Sequence, residues 1–132
     1  MAIRIQLHRA GARTIAEFRS DGIVLNSGAD LLELLMMARA QDTSNLAVHE
    51  ANIAPGFFDL KTGVAGDALQ KLVNYRGRLA IVGDITRYLE RTESLRALVR
   101  ECNRGRDVRF VATMEELLDA PITEPGTDAA GS

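Results

Sequence analysis

The sequence predicts an α/β fold, a mixed sheet with an N-terminal hairpin, parallel strands and about four helices. Three observations lead there. Apolar residues alternate with polar ones on either side of a glycine turn in residues 3–18, as a hairpin requires. The rest of the chain alternates helix-period segments with short apolar runs, the pattern of parallel strands joined by right-handed crossovers. Leu79 to Val82 is apolar without interruption, which suits a central strand covered on both faces.

In the hairpin, Ile3, Ile5 and Leu7 alternate with Arg4 and Gln6, Gly11 turns the chain, and Thr14 to Phe18 returns. Ile23 to Leu25 reads as a short extended piece. Ser27 is placed to cap a helix whose first turn holds Asp30, an acid at its positive end. Leu31, Leu32, Leu34, Leu35 and Ala38 supply its apolar face, and of Met36 and Met37 one is expected in the core and the other at an interface. Asp42 to Asn45 is a polar turn before a strand from Leu46 to His49. The irregular stretch 51–61 holds Pro55 and Gly56, with Phe57 and Phe58 as anchors. A helix is expected from about Thr62, carrying Ala65, Leu69, Leu72 and Val73. After Leu79 to Val82, residues 85–92 form a loop or helical turn. Leu95, Leu98, Val99 and Cys102 then repeat at helical spacing, and Gly105 ends that helix. Val108 to Val111 is the last strand, and Thr113 with Glu116 forms a capping box before Leu117 and Leu118.

The 132 residues suit one domain, with 46% hydrophobic and 26% charged residues. A chain of this length buries roughly two-thirds of the surface it exposes when unfolded, so no metal or disulfide staple is needed. Residues 1–119 are expected to form the domain and 120–132, rich in Pro, Gly, Thr and Ala, a loose tail. Net charge is −2, which supplies no global basic field for nucleic acid or anionic lipid. There is no Trp, and the scarcity of aromatics argues further against base stacking on single strands. The core is expected to be Leu, Ile, Val, Ala and Met. A single cysteine cannot form an intrachain disulfide, and no apolar run has the length of a secretory or membrane-spanning segment, so the expected setting is the cytoplasm, without a membrane partner.

The residues richest in chemistry lie between one strand end and the next helix, from His49 to Asp67. If the strands ending at His49 and Val82 are neighbours, Glu50, Asn52, Asp59, Thr62 and Asp84 converge at the strand carboxyl ends, where open α/β sheets bind ligands. Gly63 and Gly66 near a helix start would let backbone amides approach an anion. Caps and turns are the competing explanation for all of them. No GxGxxG or Gly-Lys-Ser/Thr fingerprint is present. His8 and His49 stand at no recognised metal-ligand spacing, and Cys102 falls on an apolar helix face. No catalytic constellation can be read from spacing, so no catalytic residue, metal ligand or cofactor is expected. Arg87, Arg91, Arg96, Arg100, Arg104, Arg106 and Arg109 interleave with Glu90, Glu93, Glu101 and Asp107. A solvated mixed-charge face is expected, with a docking surface for an acidic partner as the alternative.

Asn52, the run Phe57-Phe58-Asp59-Leu60-Lys61-Thr62-Gly63 with Ala65-Gly66, then Leu69-Gln70-Lys71, Asn74-Tyr75-Arg76 and Leu79-Ala80-Ile81-Val82-Gly83-Asp84 together resemble an uncharacterised bacterial domain-of-unknown-function family. Ser94-Leu95-Arg96, Glu101-Cys102-Asn103-Arg104-Gly105-Arg106 and Phe110-Val111-Ala112 extend that resemblance over residues 3–119. More distantly the chain is similar to STAS domains of anti-sigma-factor antagonists, in which a kinase phosphorylates the Ser of a Phe-x-Asp-Ser-Ser-Gly loop. Phe57, Asp59, Thr62 and Gly63 take the corresponding places, with Thr for Ser and one further residue between Asp59 and Gly63. The resemblance implies a STAS-like, non-enzymatic regulatory or interaction module with a protein partner or a homodimer. Thr62 would be its switch. The alternative expectation is a small anionic-ligand-binding protein, or a minor enzyme, using the strand carboxyl ends.

Overall fold

The alternation at the N-terminus produces β1 (Arg4–Ala10) and β2 (Arg13–Arg19), antiparallel, with Leu7 opposite Ala16 and Ile5 opposite Phe18. In the computed structural model residues 2–119 are described, so the expected tail at 120–132 lies outside the described residues. β3 (Asn45–His49), β4 (Arg78–Val82) and β5 (Val108–Val111) follow in parallel, and the five-stranded sheet runs in the order β1-β2-β3-β4-β5. Strand pairing places Val48 beside Ile81 and Ile81 beside Phe110.

The crossovers are α1 (Gly28–Arg39), α2 (Val64–Asn74) and the pair α3 (Thr86–Leu89) and α4 (Glu93–Arg104); α5 (Met114–Asp119) ends the described chain. Among the described residues there are five α-helices where about four are expected, because α3 is a separate single turn. Caps read from sequence are in place. The Ser27 hydroxyl accepts from the Asp30 amide at 3.2 Å, and the Thr113 hydroxyl accepts from the Glu116 amide at 3.0 Å. Glu116 in return accepts from the Ala112 amide. Thr62 does not open α2. It closes a 3-10 turn, and Gly63, at φ +78°, reverses the chain before the helix begins at Val64. Left-handed backbone of that kind favours glycine.

Two cores lie on opposite faces of the sheet. Ala16, Phe18, Leu46, Val48, Leu79, Ile81 and Val108 face α1, α2 and α4 through Leu31, Leu35, Ala68, Leu72 and Leu95. Ile15, Ala47, Ala80, Val82 and Val111 face the other way and meet Leu117 of α5. The major core differs from the all-aliphatic expectation. Phe18, Phe57, Phe58 and Tyr88 are buried, and Phe58 stacks on Tyr88 with ring centroids 4.3 Å apart. Each such ring contributes roughly 1.5–3 kcal/mol through burial. This stack ties the loop after β3 to the one after β4, so both strand-end loops are held by aromatic packing. Leu25 and Ile53 form an isolated parallel bridge, which is where the extended piece at 23–25 belongs.

Candidate functional site

Because β3 and β4 are parallel neighbours, the residues that follow them meet. Glu50 comes against Gly83, and Arg87 donates to the Glu50 carboxylate at 2.9 Å. Gly83 has φ +134°, and a Cβ there would lie 2.5 Å from Glu50 Cγ, so this close approach needs glycine. Asp84 accepts from the Thr86 amide at 2.9 Å. Hydrogen bonds with Thr86, helped by the Arg87 charge, hold the exposed Asp84 carboxyl below its ordinary range. Glu50 and Asp84 thus converge as expected, joined by Arg87, a residue that spacing does not assign to the site.

The other expected members are spent on the backbone around them. Asn52 is buried, and its Nδ2 donates to the carbonyls of Ser20 at 2.9 Å and Gly22 at 2.8 Å. Its own carbonyl accepts from the amides of Val24 and Leu25. Asn52 therefore pins the segment after β2 to the end of β3. Asp59 accepts from the Lys61 amide. The exposed Thr62 hydroxyl sits 3.0 Å from the Gly56 carbonyl and 2.9 Å from that of Asp59, and accepts from the Val64 amide. These residues shape a rigid loop.

A second polar cluster lies on the α5 side of the sheet. Glu17 is fully buried in mid-strand, with His8 Nε2 at 2.8 Å from one carboxylate oxygen and His49 Nε2 at 2.6 Å from the other. Arg19 stands 3.2 Å away. Burial is the largest single influence on Glu17 and raises its pKa. Hydrogen bonds from His49 and His8, with the charges of Arg19 and His49, together outweigh burial and leave the carboxyl below its ordinary value. An ionised carboxylate only accepts, so the Nε2 atoms of His8 and His49 both donate to it. Sequence alone does not single out Glu17. The available signal is parity, since Glu17 shares a strand face with Ile15, and His8 lies diagonally across the hairpin from it.

The arginine-rich run divides. Arg96 and Arg100 both pair with Glu93, at 2.9 and 2.8 Å, and Arg104 pairs with Glu101, which makes the expected mixed-charge helix face. Cys102 packs against the core, and burial pushes its thiol pKa up, so it is a poor nucleophile. Among the described residues no group of three or more His, Cys, Asp or Glu is arranged to hold a metal ion. No described helix is long and apolar enough to cross a membrane.

On the flank of α1 an apolar groove of about 460 Å³ is lined by Ile3, Val24, Leu32, Met36 and Met37, with Asp30 and Glu33 beside them. Met37 packs partly on the core, whereas Met36 is 47% exposed. Its neighbour β1 is an edge strand.

Fold and loops together define a mixed five-stranded α/β domain, three-helix-covered on one face and capped on the other by one short helix. The chain belongs to the family described as a domain of unknown function (DUF4180), whose model matches residues 10–120. Neither the curated proteins nor the solved structures contain a significant match.

Proposed function

We propose that the chain is a non-enzymatic, STAS-like protein-interaction module of regulatory type. The observation that carries this reading is the groove beside α1, where Ile3, Val24, Leu32 and Met36 line an open apolar surface. Adaptable methionines suit partner surfaces that must repack, and Asp30 and Glu33 favour a partner with basic residues flanking its apolar ones. The strand-end loops support the same reading. Their polar atoms are engaged within the loops or in the Glu50–Arg87 pair, which leaves a firm surface there. A small anionic ligand at those strand ends is the weaker alternative, because Glu50 and Asp84 place two carboxylates beside Arg87.

A photo-crosslinking residue at Met36 should yield a discrete adduct in cells that make the protein. The same residue at exposed Gln70 on α2 should not. An adduct of twice the chain mass identifies a homodimer, and any other discrete mass a distinct partner. Absence of any adduct at position 36 would remove the reading.

Thr62 is the finer element of the proposal. A phosphate there would add about −1.5 to −2 charge and break the hydroxyl's bonds to the loop carbonyls. Thr62→Glu should change the yield of the Met36 adduct while Thr62→Ala leaves it unchanged. Equal yields from both variants would exclude the switch.

A further inference from the structure

Four adjacent strands each deliver one polar residue to the same end of the α5-covered face. Arg13 opens β2, Asn45 opens β3, Arg78 opens β4, and Arg109 is second in β5. Pairing sets Asn45 level with Arg78, and Arg109, opposite Ala80, lies two residues further along; the parity of all four is that of Ile15, Ala47, Ala80 and Val111. With Arg106, from the turn before β5, they surround a cavity of about 40 Å³ that also touches Ile15 and Leu117. No acidic side chain is among the described residues that line it. Asn45 is fixed by its Nδ2 bond to the Thr14 carbonyl at 3.0 Å. This is the amino end of the parallel strands, opposite the loops around Glu50 and Asp84.

We infer that this cavity is a binding site for a phosphate-type oxyanion, either inorganic phosphate or the phosphate end of a small metabolite. Guanidinium forks match oxyanions through paired N–H donors. A carboxylate offers two oxygens and is satisfied by one fork. Four guanidiniums converging from three strands and the turn before β5 suit a tetrahedral group with more oxygens. Arg13, Arg78 and Arg109 each also make an interaction of their own within the chain. A guanidinium carries five N–H donors, so one such interaction does not exhaust it. Arg13, Arg78 and Arg109 are half-buried, whereas Arg106 is exposed at the rim. The cavity accommodates a head group, so the remainder of a larger ligand projects outward. This site is independent of the groove beside α1, and the two readings stand or fall separately.

The test is phosphorus NMR of inorganic phosphate and of phenyl phosphate with the full chain at low ionic strength, where screening is weak. Both probes should broaden on adding protein. Arg109→Gln and Arg106→Gln should each weaken binding about tenfold or more, the second without any risk to the fold because Arg106 is exposed. Arg100→Gln, which removes an equal charge from the α4 surface, should leave binding unchanged. Broadening of only one probe identifies the source of the head group as free phosphate or a phosphomonoester. No broadening of either probe, or equal loss in Arg106→Gln and Arg100→Gln, overturns the site.

Discussion

Replacing the Glu17 carboxylate by an amide keeps its shape and removes the charge that holds His8 and His49. Hydrogen bonds to a charged group contribute about 1.5–3 kcal/mol. Glu17→Gln should therefore destabilise the protein by about 2 kcal/mol at pH 7, measured by urea unfolding. The folded-state pKa of Glu17 is lowered. Its stabilisation is thus fully present above the unfolded-chain value, about 4.3, and is lost as pH falls through the lower folded value. The gap between wild type and Glu17→Gln should close on acidification below about pH 4; a gap unchanged at pH 3 would mean that the charge is not what stabilises. At this scale sequence and structure part most clearly. Acids and amides in loops attract notice as ligands, yet Asn52 serves the backbone. Glu17 escapes notice because a glutamate in a strand is ordinarily solvated, and only the three-dimensional pairing buries it.

Helix and loop boundaries respond to single-residue changes in a graded way. Gly83 and Gly63 both hold positive φ, but a Cβ at Gly83 would strike Glu50 Cγ whereas one at Gly63 meets nothing within 4 Å. Gly63→Ala should cost about 1–2 kcal/mol from backbone strain alone. Gly83→Ala should cost more, with Glu50 displaced from Arg87, and paired thermal melts will rank them. The Thr92 hydroxyl accepts from the Leu95 amide at 3.1 Å at the start of α4. Thr92→Ala should lose about 1 kcal/mol, and a change within error would show that solvent replaces the cap. Elements of this kind are legible in sequence because their signals are local. Ser27 and Thr113 announce caps, and Leu79 to Val82 announces an inner strand. Thr62 misleads because a hydroxyl before a glycine looks like an N-cap. The left-handed Gly63 moves the helix start to Val64.

Across the whole molecule, the unpartnered apolar surface and the fold can be perturbed separately. Met36→Glu should leave the unfolding free energy within about 0.5 kcal/mol, as exposed substitutions do, and should abolish partner adducts formed from a crosslinker at Leu32. A large loss of stability would instead make Met36 part of the core. The hairpin, the later strands and their parallel sense were accessible from periodicity, whereas the order of the strands in the sheet was not. Nor was the division of the arginines. Arg96 and Arg100 stay on a helix surface while Arg106 and Arg109 join Arg13 and Arg78, residues far away in sequence, and only the sheet order brings those four together.

That order has a consequence for synthesis. Each strand pairs only with its immediate predecessor and successor along the chain, so a nascent sheet can add strands as they emerge, with no later insertion between strands already paired. Synthesis proceeds from the N-terminus, and here the growing edge is always the strand most recently made. Among the described residues the last edge, β5, has only four residues, with Arg109 inside it and Asp107 just before it. A short edge with a charged residue discourages further addition by another chain.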